Sequence, residues 1–189
     1  MSEKVTATGR ELSLTHHDTE DARQVRHLLA AVYREVYAGD TDPFYSVARF
    51  EERFDGHSAA PGWECVLARY QGEVIGFAYG YPLPPNARWW TALRTPVDPA
   101  LIEETGARTF AFCEGMALPA WRKSGAAKLV HDTLLAARPE ERATLLVHPG
   151  RPRLRAHYES WGYRKIGEIH PFPDASVYDS LVLVKDEAS

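Results

Sequence analysis

A mixed α/β fold is predicted by three patterns in this sequence. One amphipathic helical stripe lies near the N-terminus, two β-rich runs follow with only two residues between them, and the C-terminal half alternates strand, helix and strand. Together they predict a mostly antiparallel twisted sheet of six or seven strands with about four helices and one parallel crossover. The 189 residues suit one domain with a sizeable core. Residues 1–10 are polar and read as a flexible N-terminus, which leaves 11–185 as a single domain.

The elements follow in order. Glu11 to Thr15 alternate polar and apolar, a short strand signal. Val25, Leu28, Leu29, Val32 and Val36 then form one helical stripe, with Asp18 or Thr19 as its cap and Gly39 just past its end. Asp42-Pro43 starts a second helix that reaches Phe54, with Phe44, Val47, Phe50 and Phe54 as apolar contacts. After the break at Gly56–Gly62, Trp63–Tyr70 and Glu73–Tyr81 are separated by Gln71-Gly72 and read as a hairpin. The stretch from Pro82 to Thr105 is broken by Pro82, Pro84 and Pro85 and carries Trp89-Trp90. It reads as an insertion over the domain, with a short helix at Pro99–Thr105. Beyond it come a strand at Ala107–Leu118, a helix at Arg122–Ala137 and a strand at Ala143–Val147. A helix at Pro152–Trp161 closed by Gly162 and strands at Tyr163–Ile169 and Val177–Val184 end the chain.

Composition narrows the classes of function. The formal net charge is −4, which argues against a nucleic-acid partner held by bulk attraction. No apolar run approaches the roughly 20 residues that span a bilayer, and the first residues have no signal-peptide core. The expectation is therefore a cytoplasmic protein with no membrane partner. Cys65 and Cys113 are the only cysteines, too few for a disulfide framework or a zinc box, and no His/Cys/Asp/Glu spacing suggests a metal. No Ser or Cys sits in a nucleophile elbow, so an acyl-enzyme is not expected.

The most informative stretch runs from Glu114 to about Ala137. A strand ends at Pro119, a short basic loop follows, and a helix begins near Gly125. N–H groups at a helix start lack partners and carry partial positive charge, which suits a pyrophosphate. Arg122, Lys123 and Lys128 add formal charge, while Gly125 and Ala127 keep the backbone accessible. An ordinary strand-to-helix connection with a solvated basic loop fits these residues equally well.

Arg122-x-x-Gly125-x-Ala127 resembles the cofactor signature of the GNAT superfamily of acyl-CoA N-acyltransferases. Downstream, Tyr158-Glu-Ser-Trp-Gly162-Tyr163 followed by Gly167 is similar to a second segment of that family, in the expected order and with a strand between. The resemblance implies a GNAT-like fold and acetyl-CoA as cofactor, held by Met116, Ala117, Leu118, Arg122, Lys123, Ser124, Gly125, Ala126 and Ala127. This sequence departs from the family pattern at Ala117, Ser124 and Ala126, and it has Gly150-Arg151 where the family often has an asparagine.

The resemblance further implies direct attack of a neutral amine on a thioester, with a backbone N–H near Ala117 or Leu118 as oxyanion donor. Tyr158 matches the family's general acid; a tyrosine hydroxyl donates at neutral pH, with an ordinary pKa of about 10. Glu114 is the candidate base, and strand alternation puts it on one face with Met116 and Leu118. Tyr33, Tyr37, Trp89 and His148 are the candidates for the acceptor pocket, with Phe44, Tyr45 and Trp90 as further aromatic walls. His157 and His16-His17 read as outward-facing. The expected reaction is acetyl transfer to a primary amine of a small molecule. Transfer to a protein N-terminus or lysine, and a non-catalytic CoA-binding module, are the alternatives. A homodimer is allowed for.

Overall fold

Two antiparallel turns build the N-terminal part of the sheet. The computed structural model describes residues 2–7 and 9–185. Strand β1, Ser2–Ala7, pairs with β2, Arg10–Asp18, from Ser2↔Thr15 to Ala7↔Arg10. No strand is predicted here, because Val5 is the only large apolar residue of the segment. Backbone pairing and the Lys4–Glu11 ion pair at 2.8 Å hold it instead, and a lysine suits an edge strand. With β1 added, the described residues contain an eight-stranded mixed sheet and five α-helices, more than the six or seven strands and about four helices expected.

The chain divides into two compact units, Met1–Tyr81 with Phe112–Arg138 and Pro82–Ala111 with Pro139–Ser189. In the first, α1 spans Ala22–Val36 and buries Val25, Leu29 and Val32 of the predicted stripe. It begins after Asp21, not after Asp18 or Thr19, because β2 runs to Asp18 and the Asp18 carboxylate accepts the Glu20 N–H at 2.9 Å to form the turn. The predicted Asp42–Phe54 helix is two elements. A 3-10 turn at Pro43–Tyr45 is capped by Asp42, and α2, Val47–Ser58, is capped by Ser46 and continues through Gly56. Each cap satisfies an otherwise orphaned N–H.

Strands β3, Glu64–Tyr70, and β4, Glu73–Pro82, form the predicted hairpin, with Tyr70 opposite Glu73. Gln71 and Gly72 both have positive φ, 51° and 90°, as a two-residue hairpin turn requires. Leu29, Val32 and Tyr33 of α1 and Phe50 and Phe54 of α2 pack with Cys65, Leu67, Phe77 and Tyr79 on one sheet face. On the opposite face α4, Ala126–Ala136, lies against β3 with Val130 and Leu134 buried.

In the second unit the first residues of β5, Thr109–Ala117, pair in parallel with β6, Arg142–Val147, from Thr109↔Arg142 to Ala111↔Thr144. This is the predicted crossover pair. Strand β8, Tyr178–Val184, lies antiparallel between β6 and β7, Arg164–Ile169. Helix α5, Pro152–Ser160, leads into β7 through Gly162 at φ 102°. The proline-rich insertion packs onto its own unit: Arg94 N–H donates to the Glu168 carbonyl, His170 N–H donates to the Ala92 carbonyl, and Leu93 bridges Ile169. Its short helix, α3, is only Pro99–Ile102. Glu104, nearly inaccessible, accepts at one carboxylate oxygen from Trp90 Nε1 at 2.8 Å, Thr109 Oγ1 at 2.7 Å and Arg142 Nη2 at 3.1 Å.

Candidate functional site

The connection from β5 to α4 contains a 3-10 turn at Pro119–Trp121 followed by Arg122, Lys123, Ser124 and Gly125. Gly125 caps α4 at φ 83°, in the left-handed region where glycine is favoured. A Cβ there would meet no protein atom within 4 Å, so the backbone conformation, not local crowding, requires glycine. Lys123 also has positive φ, 65°, a strained setting for a lysine. Among the described residues, the N–H groups of Lys123, Gly125 and Ala127 meet no protein acceptor. The Ala126 N–H is taken by Ser124 Oγ at 3.2 Å, and that hydroxyl donates to the Trp121 carbonyl at 2.7 Å. Thus Ser124, a departure from the family pattern, braces the turn. Arg122 and Lys123 are exposed, whereas Lys128 is paired along the helix with Asp132. Unpartnered donors, a left-handed cap and two exposed cations fit a pyrophosphate.

The end of β5 is set by close packing. The Leu118 N–H donates to the Ile75 carbonyl at 2.8 Å, so of the two expected oxyanion donors this one is already engaged. Met116 joins the core with α1 and α2, and Leu118 packs against it. Gly115 must lack a side chain because a Cβ would stand 2.3 Å from the Phe112 ring. That ring in turn lies 5.0 Å from His131 of α4, a nearly buried imidazole that burial makes harder to protonate.

Glu114 shares the Met116–Leu118 face and meets a residue that no sequence motif marked. Arg53 of α2 donates from Nη2 to Glu114 Oε1 at 3.3 Å and to the Tyr33 hydroxyl at 3.2 Å, and from Nη1 to the Phe44 carbonyl at 2.9 Å. Burial opposes the Arg53 charge, yet Glu114 and Tyr33 together hold the guanidinium above its ordinary value. Burial, and then the Glu114 carboxylate, push the Tyr33 hydroxyl up. His57, on the last turn of α2, approaches the Tyr79 hydroxyl at 3.4 Å. Burial, with help from Arg53, lowers it to about 4. Arg53 falls on the same helical stripe as Phe50 and Phe54, and a charge on an apolar stripe is the signal that could have found it.

The other candidates are spread over both units. Tyr33 is fully buried, stacked on Phe50 at 4.2 Å. Tyr37 is partly exposed and stacks on Tyr45 at 4.9 Å. These stand with Glu114 and the loop in the first unit. In the second, Trp89 is half-buried, and its indole N–H is buried with no acceptor among the described residues. His148 follows β6; its Nδ1 accepts the Gly150 N–H at 2.9 Å, which places the neutral ring's proton on Nε2. Tyr158, on α5, is nearly buried between Trp161 at 5.1 Å and Tyr163 at 5.7 Å. Gly167 lies against Thr95, which a Cβ would approach to 2.9 Å.

No helix among the described residues is long and apolar enough to cross a membrane. No protein-family model matches the chain, and no curated protein sequence matches it. Solved structures do. The GNAT domain of S. lividans PAT is 17% identical with a TM-score of 0.61, covering 97% of each chain. An acetyltransferase from Streptococcus agalactiae is 12% identical with a TM-score of 0.63, covering 91% of this chain and 98% of that one. Ard1 from Thermoplasma volcanium is 12% identical with a TM-score of 0.59, covering 93% and 99%. The motif resemblance is thus met at the level of architecture: the chain has the fold of GNAT acetyltransferase structures.

Proposed function

We propose that the chain is an N-acetyltransferase that moves an acetyl group from acetyl-CoA to a primary amine of a small molecule. The observation that carries this reading is the start of α4, where three unpartnered N–H groups and two exposed cations surround the left-handed Gly125. The fold likeness supports acetyl transfer in general. Arg122, Lys123, Gly125 and Ala127 would hold the phosphates of acetyl-CoA, and the bound molecule would supply an activated thioester.

In this reading the acceptor nitrogen forms the new C–N bond as the C–S bond breaks. Glu114 orients the amine and draws off its proton through water, and the Tyr158 hydroxyl gives a proton to the departing sulfur. The test is Tyr158→Phe. Acetylation should fall sharply while the affinity for CoA stays nearly unchanged. A wild-type protein that binds acetyl-CoA yet releases no CoA with any amine would leave only a binding module.

A further inference from the structure

Arg53 is held by more than its ion pair. Its side chain is 5% exposed, the Phe44 ring lies 4.5 Å from the guanidinium carbon, and two neutral acceptors, the Phe44 carbonyl and the Tyr33 hydroxyl, fix its plane. A third, longer contact reaches the Arg49 carbonyl at 3.4 Å. A planar guanidinium fixed this way is preorganised, so little entropy is lost when Nη2 meets a carboxylate. The carboxylate it meets is Glu114, whose side chain is 16% exposed. An opposite charge in a poorly solvated setting favours the ionised carboxylate strongly, and removing it reverses that preference.

We propose that Arg53 is a positioning residue for Glu114, fixing the orientation and the proton affinity of the carboxylate that serves the acceptor amine. The kinetic part rests on the acetyl-transfer reading; the electrostatic part does not. The titratable groups that act on this pair include Tyr33 from α1, with Tyr45 of the 3-10 turn beside it, His57 from α2, Tyr79 from β4 and Cys113 from β5. Arg53 and, when protonated, His57 bring positive charge to this cluster. Burial keeps His57 neutral near pH 7, so Arg53 is the permanent one. Without it, the low exposure of Glu114 would favour the protonated carboxyl more than it does beside the guanidinium.

The experiment compares wild type with Arg53→Met, which keeps much of the stem but loses the charge, and Arg53→Lys, which keeps the charge but loses the fork. Carbon-13 NMR of glutamate carboxyls, assigned with Glu114→Gln, reads the Glu114 titration directly in folded protein. In Arg53→Met its midpoint should rise by at least one pH unit, and in Arg53→Lys by less. An unchanged midpoint in Arg53→Met overturns the proposal. In parallel, the acidic limb of kcat/KM for an accepted amine should move up with the NMR midpoint. Meanwhile kcat should drop at least tenfold, with the Kd for CoA within about twofold of wild type. Equal losses in kcat and CoA affinity would reduce Arg53 to a structural role and also overturn the proposal. If wild type acetylates no amine, the acetyl-transfer reading fails, and the carboxyl titration alone still decides whether Arg53 controls Glu114. If Arg53→Met does not fold, Arg53→Gln, which keeps an N–H donor but no charge, decides by the same titration: a rise of at least one unit supports the proposal, and an unchanged midpoint overturns it.

Discussion

A Cβ placed on Gly76 would stand 2.8 Å from the Met116 carbonyl oxygen and 3.2 Å from the Ala117 Cα. Both obstacles are backbone or next to it, so no side chain can swing away. Gly76→Ala should therefore displace the end of β5, at a cost of about 1–3 kcal/mol by analogy with overpacked cores. A urea melt measures that cost. Calorimetric titration should show weaker CoA binding, because Met116–Leu118 lead directly into the loop.

Lys123 and Gly125 make opposite predictions at neighbouring positions. Gly125→Ala has room for its methyl group but must hold φ near 83°, which costs about 1–2 kcal/mol of local strain. Lys123→Gly relieves a similar strain at φ 65° while removing an exposed cation. The first should lower Tm. The second should keep or raise it. Both should weaken CoA binding, and the Lys123→Gly loss should shrink as salt is added.

Glu104 gathers three donors on one oxygen, and its other oxygen is buried with no partner among the described residues. Truncation would leave Arg142 charged and nearly buried. Glu104→Ala is expected to destabilise by about 3–5 kcal/mol, as for other broken buried pairs. Double truncation with Arg142→Met should recover part of that loss, which a two-variant thermodynamic cycle reads.

His57 predicts an acid sensitivity. Its folded value is lowered from the ordinary 6.5 to about 4, so the unfolded chain binds this proton first. Stability from the neutral imidazole is complete above about pH 6.5 and is lost as the pH falls toward 4. The loss approaches roughly 3 kcal/mol at most, less if water reaches the partly exposed ring. His57→Gln should flatten the dependence of urea midpoints between pH 4 and 6.5.

Periodic signals carried most of the fold. The stripe of α1, the Gln71-Gly72 hairpin and the parallel β5–β6 pair are where apolar spacing and turn chemistry place them. Strand β1 was illegible because its stability comes from backbone pairing, which any polar sequence can offer. The break at Ser46 was missed because Ser46 can cap a new helix as readily as it can sit within one. At the candidate site, the basic loop and Gly125 were legible from composition and spacing. Arg53 was not, since its importance comes from Glu114, a residue 61 positions away.

The turn at Gln71-Gly72 also bears on the order in which the chain folds. It closes β3 on β4 with two residues, so Tyr70 and Glu73 meet at almost no loss of loop entropy, and hairpins of this kind form in about 1–10 μs. Thr109 and Arg142 are 33 residues apart, and their strands pair only after the loop and α4 between them have been gathered in. The sheet is thus expected to start from its hairpin and to gain its parallel step late.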